Sequence, residues 1–308
     1  MLYLDKLILK YVFTKSIYSI ERTGHLLDFN MNETSLKTKI DIVIEDTIGK
    51  DFQLESLNQA LRNYLQELSC HELSFQLHNS SESLSGVYLT WKDDELCLFD
   101  PHRQALLKLD WAGELQTHLK RNYAVTKEPL FRALKLKGGD IEHNKVIDAT
   151  LGTGKDACLL LSFGCQLECF ERNPYVFGLA LWAYQKALSS EDHKIRLIFN
   201  NYMKINFGQA TIAQAPVGFE RCFYDPMYEM TKSKAKSALS RKEMEVFKDL
   251  VGKDVDQDQY LWSLCAKFSL VCLKRPIKAS EAKIPADCKH QKVVYTGKST
   301  RYERYFLP

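Results

Sequence analysis

One short segment, residues 146–156, constrains the fold of this chain more than any other; it reads Val-Ile-Asp-Ala-Thr-Leu-Gly-Thr-Gly-Lys-Asp. An apolar strand runs into Asp148, and a turn that contains Gly152 and Gly154 follows before a helix begins. Because glycine lacks Cβ, the backbone can turn sharply here and lie against a ligand. A strand, a glycine-rich turn and a helix are typical of the first half of a nucleotide-binding α/β unit.

Three ligand classes use such a turn: nucleoside triphosphates, dinucleotides and S-adenosylmethionine. Ala149 stands where a triphosphate-binding loop has its first glycine, and Asp156 replaces the serine or threonine that binds magnesium. A dinucleotide fingerprint needs a third glycine where Ala157 stands. Asp148 and Asp156 would repel phosphates, but they suit the cationic amino group and the sulfonium of S-adenosylmethionine. The glycines alone are also compatible with an ordinary tight turn.

The next strand supports a cofactor site. The sequence predicts a strand over residues 166–170 that ends at Glu171. An acidic residue about 20 positions beyond the first strand is placed to hydrogen-bond ribose hydroxyls. Asn173 and Pro174 then predict the N-cap and first turn of a helix that runs to residue 188. The alternative is a surface acid in a loop between the strand and the helix.

A later strand, predicted over residues 221–224, ends in the turn Asp225-Pro226-Met227-Tyr228. Many amino-group methyltransferases carry a similar [DN]-P-P-[YF] turn at this point. The lone pair of an exocyclic base amine is delocalised, and oxygen atoms that accept its N–H bonds favour the more tetrahedral, nucleophilic nitrogen. An aromatic ring that stacks on the base fixes its plane. Asp225, Pro226 and Tyr228 are therefore predicted to be catalytic, although the pattern also occurs in ordinary turns.

Several motifs in this order resemble those of the ribosomal small-subunit methyltransferase J family: Asp148-Ala149-Thr150, Gly152-x-Gly154-x-Asp156, Glu171-Arg172-Asn173-Pro174, Asp225-Pro226-Met227, Lys236-Ser237-Ala238-Leu239 and Lys274-Arg275-Pro276. The resemblance is close over residues 145–306, thinner over 73–137, and does not extend to residues 1–70. It implies an α/β fold of class I methyltransferase type, with a Rossmann-like sheet and an antiparallel last strand. It also implies transfer of a methyl group from S-adenosylmethionine to N2 of a guanine in small-subunit ribosomal RNA.

The residues and the resemblance together predict the cofactor contacts: Asp148, Gly152, Gly154, Lys155, Asp156, Glu171, Arg172, Asn201, Tyr202 and Asp225. Three positions depart from the family. Lys155 replaces an arginine, Asn201-Tyr202 replaces a serine pair expected after the third strand, and residues 123–130 replace a glycine-rich basic stretch. These departures leave two alternatives open: a non-catalytic RNA-binding or ribosome-assembly protein that keeps the fold, or a methyltransferase that acts on an adenine amine, DNA or a protein amide.

The length and apolar content allow one or two cores, since the chain has 308 residues and is 45% hydrophobic. We predict an α+β domain over residues 1–115 and the methyltransferase domain over 116–308. Strands are expected at 2–13, 40–45, 86–91, 95–99 and 268–273, a helix at 54–68, and a hairpin of strands 292–296 and 302–306.

The charge pattern indicates local rather than general attraction to nucleic acid, since the net charge is only +3. Basic residues cluster just after the predicted catalytic turn, where they are predicted to bind phosphates of RNA: Lys232, Lys234, Lys236, Arg241 and Lys242. A solvated loop and helix face is the alternative. The expected partner is small-subunit ribosomal RNA or the assembled small subunit.

The nine cysteines include no C-x-x-C pair and do not cluster with histidines, so no metal site is expected. Free thiols fit a reducing cytosol. The first residues lack the features of a signal peptide, and no uncharged run reaches the ~20 residues that cross a bilayer. A cytoplasmic protein without membrane attachment is therefore predicted.

Overall fold

The computed structural model describes residues 38–44, 73–78, 86–92, 95–121, 124–211, 216–227, 246–247, 250, 256–283, 285 and 288–308. The strand predicted at 2–13 and the helix predicted at 54–68 lie outside these ranges. Packing divides the chain into Met1–Glu95 and Leu96–Pro308. This division falls before the boundary predicted at residue 115, and the helix that begins at Trp111 packs within the second unit.

The first unit contains three described strands, β1 (Thr38–Ile44), β2 (Leu73–His78) and β3 (Tyr88–Lys92). Strand β1 pairs in parallel with both β2 and β3. The strands expected at 40–45 and 86–91 are therefore present, with ends that differ slightly.

The second unit begins with a short hairpin and two helices. Strands β4 (Glu95–Asp100) and β5 (Ala105–Leu107) pair antiparallel. Helix α1 (Trp111–Lys120), a 3₁₀ turn (Val125–Lys127) and helix α2 (Pro129–Ala133) follow.

Alternating strands and helices make up the rest of the second unit: β6 (Lys145–Asp148), α3 (Lys155–Ser162), β7 (Gln166–Glu171), α4 (Pro174–Leu188), α5 (His193–Tyr202), β8 (Met203–Phe207), β9 (Arg221–Tyr224), α6 (Gln257–Lys267), β10 (Leu270–Pro276), β11 (Gln291–Thr296) and β12 (Thr300–Phe306). Within the ranges that the structure describes, none of the helices has the length and apolar character needed to cross a membrane.

A seven-stranded sheet organises the second unit in the order β11-β12-β10-β9-β6-β7-β8. Strands β6 to β10 run parallel to one another, and β12 runs antiparallel to β10 and β11. The expected class I Rossmann-like sheet with an antiparallel last strand is confirmed. The chain moves outward from β6 through β7 to β8 and then returns to β9 on the other side of β6. Ligands of such sheets bind beyond the carboxyl ends of the strands at this reversal.

The central strands are buried on both faces, which explains their continuous apolar character. Val146, Cys222, Phe223 and Val271 are fully buried. Burial of each large apolar side chain contributes about 1.5–3 kcal/mol, so these strands give the sheet a rigid centre. The loops at its edge can then hold polar groups at fixed positions.

The segment predicted to contain the third strand is helical, and this prediction was wrong. Helix α5 begins after Asp192, whose carboxylate accepts hydrogen bonds from the backbone N–H groups of Lys194 and Ile195. Ile195 and Phe199, four residues apart, share its buried face. The sheet strand is the following segment, β8.

Gly154 is required by the protein's own packing. Its φ is +75°, and a Cβ there would lie 2.4 Å from the indole of Trp111. The indole Nε1 donates a hydrogen bond to the carbonyl of Thr153 at 2.9 Å. Helix α1 therefore supports the glycine-rich turn from behind, and Gly154 makes room for that support.

We expect Gly154→Ala to destabilise the protein more than Gly139→Ala. Both glycines have φ +75°, but nothing lies within 4 Å of a Cβ at Gly139. The left-handed conformation costs about 1–2 kcal/mol in both variants, and the clash with Trp111 adds about 1–3 kcal/mol in the first alone. Urea unfolding of the two variants measures the difference, and equal losses would contradict the role assigned to Trp111.

Candidate active site

An open crevice lies at the carboxyl ends of the central strands. It lies between β6 and β9, where the order in which strands are added to the sheet reverses. Together with the solvent at its open mouth, it spans about 510 Å³. Its walls come from the loops after β6, β7, β8 and β9 and from helix α6: Ala149, Thr150, Gly152, Glu171, Arg172, Gly208, Gln209, Tyr224, Asp225, Met227, Phe247 and Tyr260. Gly208 and Gln209 were not predicted from the sequence, because the strand they follow was misplaced.

Glu171 ties two walls of the crevice together. Its side chain is buried, and Oε2 accepts a hydrogen bond from the N–H of Gly152 at 2.9 Å. Oε1 accepts one from the N–H of Asn173 at 2.7 Å. Asn173 in turn caps helix α4 by accepting from the N–H groups of Tyr175 and Val176, as predicted. The carboxylate is therefore held rigidly at the end of the second strand.

Asp148 is a buried acid with an unused oxygen. The residue is 0% exposed, and Oδ1 accepts a hydrogen bond from the N–H of Thr150 at 3.1 Å. Oδ2 is buried and has no hydrogen-bond partner among the described residues. The pKa of Asp148 is raised to about 8, because burial and the nearby carboxylates of Asp156, Asp225 and Glu171 outweigh the bond from Thr150. A positively charged ligand would relieve this concentration of acids.

The raised pKa makes stability depend on pH. A carboxyl whose pKa is higher in the folded state binds its proton more tightly there, so stability falls as pH rises from about 4 to about 8 and then levels off. Each unit of this shift corresponds to about 1.4 kcal/mol. We expect Asp148→Asn, which resembles the neutral acid, to be more stable than wild type at pH 8 but not at pH 4. Urea unfolding of both proteins at both pH values tests this. The same difference in unfolding free energy between variant and wild type at pH 4 and pH 8 would contradict it.

Lys274 bridges the two remaining carboxylates of the site. Its Nζ lies 2.6 Å from Oδ2 of Asp156, in the first turn of α3, and 2.8 Å from Oδ2 of Asp225, directly after β9. Lys274 itself belongs to β10. Lys274 was not predicted to be a site residue, although its position in the family motif at the end of the fifth strand was a usable signal.

The charges in this bridge support one another. Burial lowers the pKa of Lys274, but Asp225 and Asp156 outweigh it and raise that pKa above its ordinary value, so the ammonium stays charged. The pKa of Asp225 is raised to about 6, because burial and the carboxylate of Asp156 raise it by more than Lys274 lowers it. Asp225 is therefore ionised at neutral pH because its positive partner offsets the effect of burial.

Two more hydrogen bonds fix the turn that contains Asp225. The N–H of Asp225 donates to Oγ1 of Thr150 at 2.8 Å, which joins this turn to the glycine-rich turn. Nε2 of Gln257, at the start of α6, donates to the carbonyl of Met227 at 2.9 Å. Neither Thr150 nor Gln257 was predicted as a site residue. Met227 stands where the related [DN]-P-P-[YF] turns have their second proline, and the bond from Gln257 supplies part of the rigidity that this proline would give.

The structure brings together several predicted site residues and separates others. Arg172 lines the crevice and pairs with Asp256 at 3.3 Å. Lys155 begins helix α3 but is exposed and does not line the crevice. The predicted residues Tyr228, Lys232, Lys234, Lys236, Arg241 and Lys242 lie outside the described residues.

The assignment of Asn201 and Tyr202 to the cofactor site is wrong. They end helix α5 and precede β8, whose first residue pairs with Leu167 near the start of β7. Because β7 and β8 are parallel, this places both residues at the amino ends of the strands, at the opposite edge of the sheet from the crevice.

The comparison with known proteins agrees with this geometry. The family model for SAM-dependent methyltransferases matches residues 71–307. Ribosomal RNA small subunit methyltransferase J of Laribacter hongkongensis is 34% identical over 71% of this chain and 75% of the relative. The enzyme of the same name from Vibrio vulnificus is 30% identical over 73% of this chain and 87% of the relative.

The chain belongs to the ribosomal RNA small subunit methyltransferase J family. It is an S-adenosylmethionine-dependent methyltransferase. A solved SAM-dependent methyltransferase from Neisseria gonorrhoeae shares the fold, with a TM-score of 0.55 and 22% identity over 87% of this chain and 96% of the other.

The crevice fits the cofactor of this methyltransferase family. The unpartnered Oδ2 of Asp148 and the surrounding carboxylates suit a ligand with two positive centres. Glu171 ends the second strand, which is the position where an acid commonly contacts ribose hydroxyls in sheets of this type. Gly152 has φ +53°, and a Cβ there would lie 3.3 Å from the ring of Phe247. The missing side chain therefore leaves room for Phe247 beside the turn.

Proposed function

We propose that the protein transfers a methyl group from S-adenosylmethionine to the exocyclic amine N2 of a guanine in small-subunit ribosomal RNA. The observation that carries the proposal is the position of Asp225. Its carboxylate lines the crevice and pairs with Lys274, and its backbone N–H donates to Thr150 of the glycine-rich turn. The names of the relatives support ribosomal RNA as the substrate class.

Asp225 and the backbone after it prepare the amine. S-adenosylmethionine, when bound, supplies an electrophilic methyl group on a sulfonium. In this proposal the carboxylate of Asp225 and the carbonyl of Pro226 accept the two N–H bonds of the amine, which frees the nitrogen lone pair for attack. The N–C bond forms as the bond from the methyl carbon to the sulfur breaks, with its electron pair left on sulfur, and the nitrogen then carries a surplus proton. Asp225, with a pKa of about 6, can take up that proton and release it to water near neutral pH.

We further propose that Tyr228 stacks on the guanine and that the basic residues from Lys232 to Lys242 bind its flanking phosphates. We also propose a cytosolic location, which the free thiols of the described cysteines support. The RNA substrate can be free or assembled in the small subunit.

The experiment is transfer of labelled methyl groups from S-adenosylmethionine to naked small-subunit RNA and to assembled small subunits, followed by digestion to nucleosides. We expect the label in N2-methylguanosine with at least one of the two substrates. Label in an adenine nucleoside would contradict the choice of base. No label in either substrate, from protein that binds the cofactor by calorimetry, would contradict RNA methylation itself.

A further inference from the structure

A second cluster of charged and aromatic side chains lies on the antiparallel strands of the sheet and on or just after helix α2, outside the crevice. We name it the hairpin patch; it comprises Arg132, Lys135, Tyr295, Arg304 and Phe306. Cations and rings alternate in it. Arg132 and Arg304 each lie 5.2 Å from the centre of the Tyr295 ring, Arg304 lies 5.0 Å from that of Phe306, and Lys135 lies 4.9 Å from that of Phe306.

The hairpin patch has a buried base and an exposed outer layer. Arg304 is only 8% exposed, and its Nη1 donates to the carbonyl of Arg132 at 3.4 Å. Tyr295 and Phe306 are half-buried. Arg132 and Lys135, on and just after helix α2, are exposed to solvent. The rings therefore hold the outer cations in place, which lowers the entropy that those long side chains would lose on binding a ligand.

Strand register connects the hairpin patch to the active site. Tyr295 on β11 pairs with Tyr302 on β12, and Tyr302 pairs with Lys274 on β10. Residues paired directly across strands share a face, and neighbouring strands lie about 4.8 Å apart, so Tyr295 lies about 10 Å along the sheet from Lys274. Lys274 contacts Asp225. When the target nucleotide of an RNA lies at Asp225, the neighbouring nucleotides can therefore reach the hairpin patch.

We propose that the hairpin patch binds the RNA strand that flanks the target nucleotide, with Arg132 and Lys135 on its phosphates and the guanidinium plane of Arg132 under an unpaired base. This inference rests on the proposed function. Alternating cations and flat groups match the alternating phosphates and bases of single-stranded RNA. Fixed local cations are also what a protein with a net charge of only +3 needs in order to hold RNA.

The test compares the RNA affinity of the double variant Arg132→Gln, Lys135→Gln with that of a matched control. The control is Lys194→Gln, Lys204→Gln, which removes two exposed lysines from α5 and β8, at the other end of the sheet. Binding of in-vitro transcribed small-subunit RNA is measured at several salt concentrations. The affinity for S-adenosylmethionine, measured by calorimetry, reports whether each variant keeps its fold.

The patch variant is expected to bind RNA about tenfold more weakly at low salt and with a salt slope shallower by about 1.4, since each phosphate contact to a single strand contributes about 0.7. Its KM for RNA rises, while its cofactor affinity stays that of wild type. The control variant keeps wild-type affinity and slope.

Three outcomes would overturn the inference in different ways. Equal RNA affinity and equal salt slope in wild type and the patch variant, with wild-type protein active on RNA, would overturn the hairpin patch alone. Wild-type protein that binds the cofactor but neither binds nor methylates the RNA would overturn the proposed function, and the patch with it. A control variant that weakens as much as the patch variant would show only general charge attraction and would also overturn the patch.

Discussion

Replacing Asp225 with alanine is expected to lower kcat for methyl transfer by about 10²–10³, the usual effect of removing one preorganised polar group from a transition state. The carboxylate contacts the amine only when the amine becomes nucleophilic, so the loss falls on kcat more than on KM. Lys274 keeps its other partner, Asp156, in this variant, so the local charge remains paired. Single-turnover transfer of labelled methyl groups to small-subunit RNA measures the effect.

Two controls separate catalysis from folding and binding in this experiment. Asp225→Asn keeps an oxygen that can accept an N–H bond but loses the charge, and is expected to lie between wild type and alanine. Cofactor affinity, measured by calorimetry, should change far less than kcat in both variants. Wild-type turnover in Asp225→Ala would show that another group activates the amine.

Replacing Lys274 with methionine is expected to move the acid limb of the activity profile to higher pH. In wild type, activity should fall as pH falls through about 6, because Asp225 becomes protonated. Lys274 lowers that pKa through a contact of 2.8 Å, and a neighbouring opposite charge typically accounts for about 1–3 units. In the variant, the midpoint of the acid limb should therefore move to a pH about 1–3 units higher. As a result, kcat at pH 7 should be reduced. Profiles of kcat against pH for both proteins measure the shift.

The matched control for this variant is Lys292→Met. Lys292 is also a strand lysine with an ion pair, at 2.9 Å to Glu281, but it lies outside the crevice. Its pH profile should match wild type. Lys274→Arg keeps the positive charge, so the midpoint pH of its acid limb should stay close to that of wild type. A methionine variant with an unchanged profile would mean that Lys274 does not set the ionisation of Asp225.

Local sequence patterns predicted the parts of the fold that local interactions determine. The turn after β6, the cap at Asn173 and the closing hairpin appear where they were expected, because glycine, a capping amide and alternating strand residues act within a few positions. The third strand was misplaced because an apolar run with Ile195 and Phe199 fits either a strand or one face of a helix. Asp192, a helix N-cap, was the signal that distinguished them.

The parts of the site that depend on distant residues could not be predicted in this way. Lys274 meets Asp156 from 118 positions away, and Trp111 meets the turn at Thr153 from 42. No local pattern encodes such pairs. They form only when β10 joins the sheet and α1 packs against the glycine-rich turn. Gly154 shows the same limit, since the sequence indicated close approach to a ligand and the structure shows close approach to Trp111.

The most direct measurement of the central claim is a crystal structure with S-adenosylhomocysteine, the product left after methyl transfer. We predict that its ribose hydroxyls contact Glu171, that its amino group lies among the carboxylates near Asp148, and that its sulfur faces Asp225 across the crevice. A ligand bound elsewhere, or one in the crevice with its sulfur turned away from Asp225, would contradict the account.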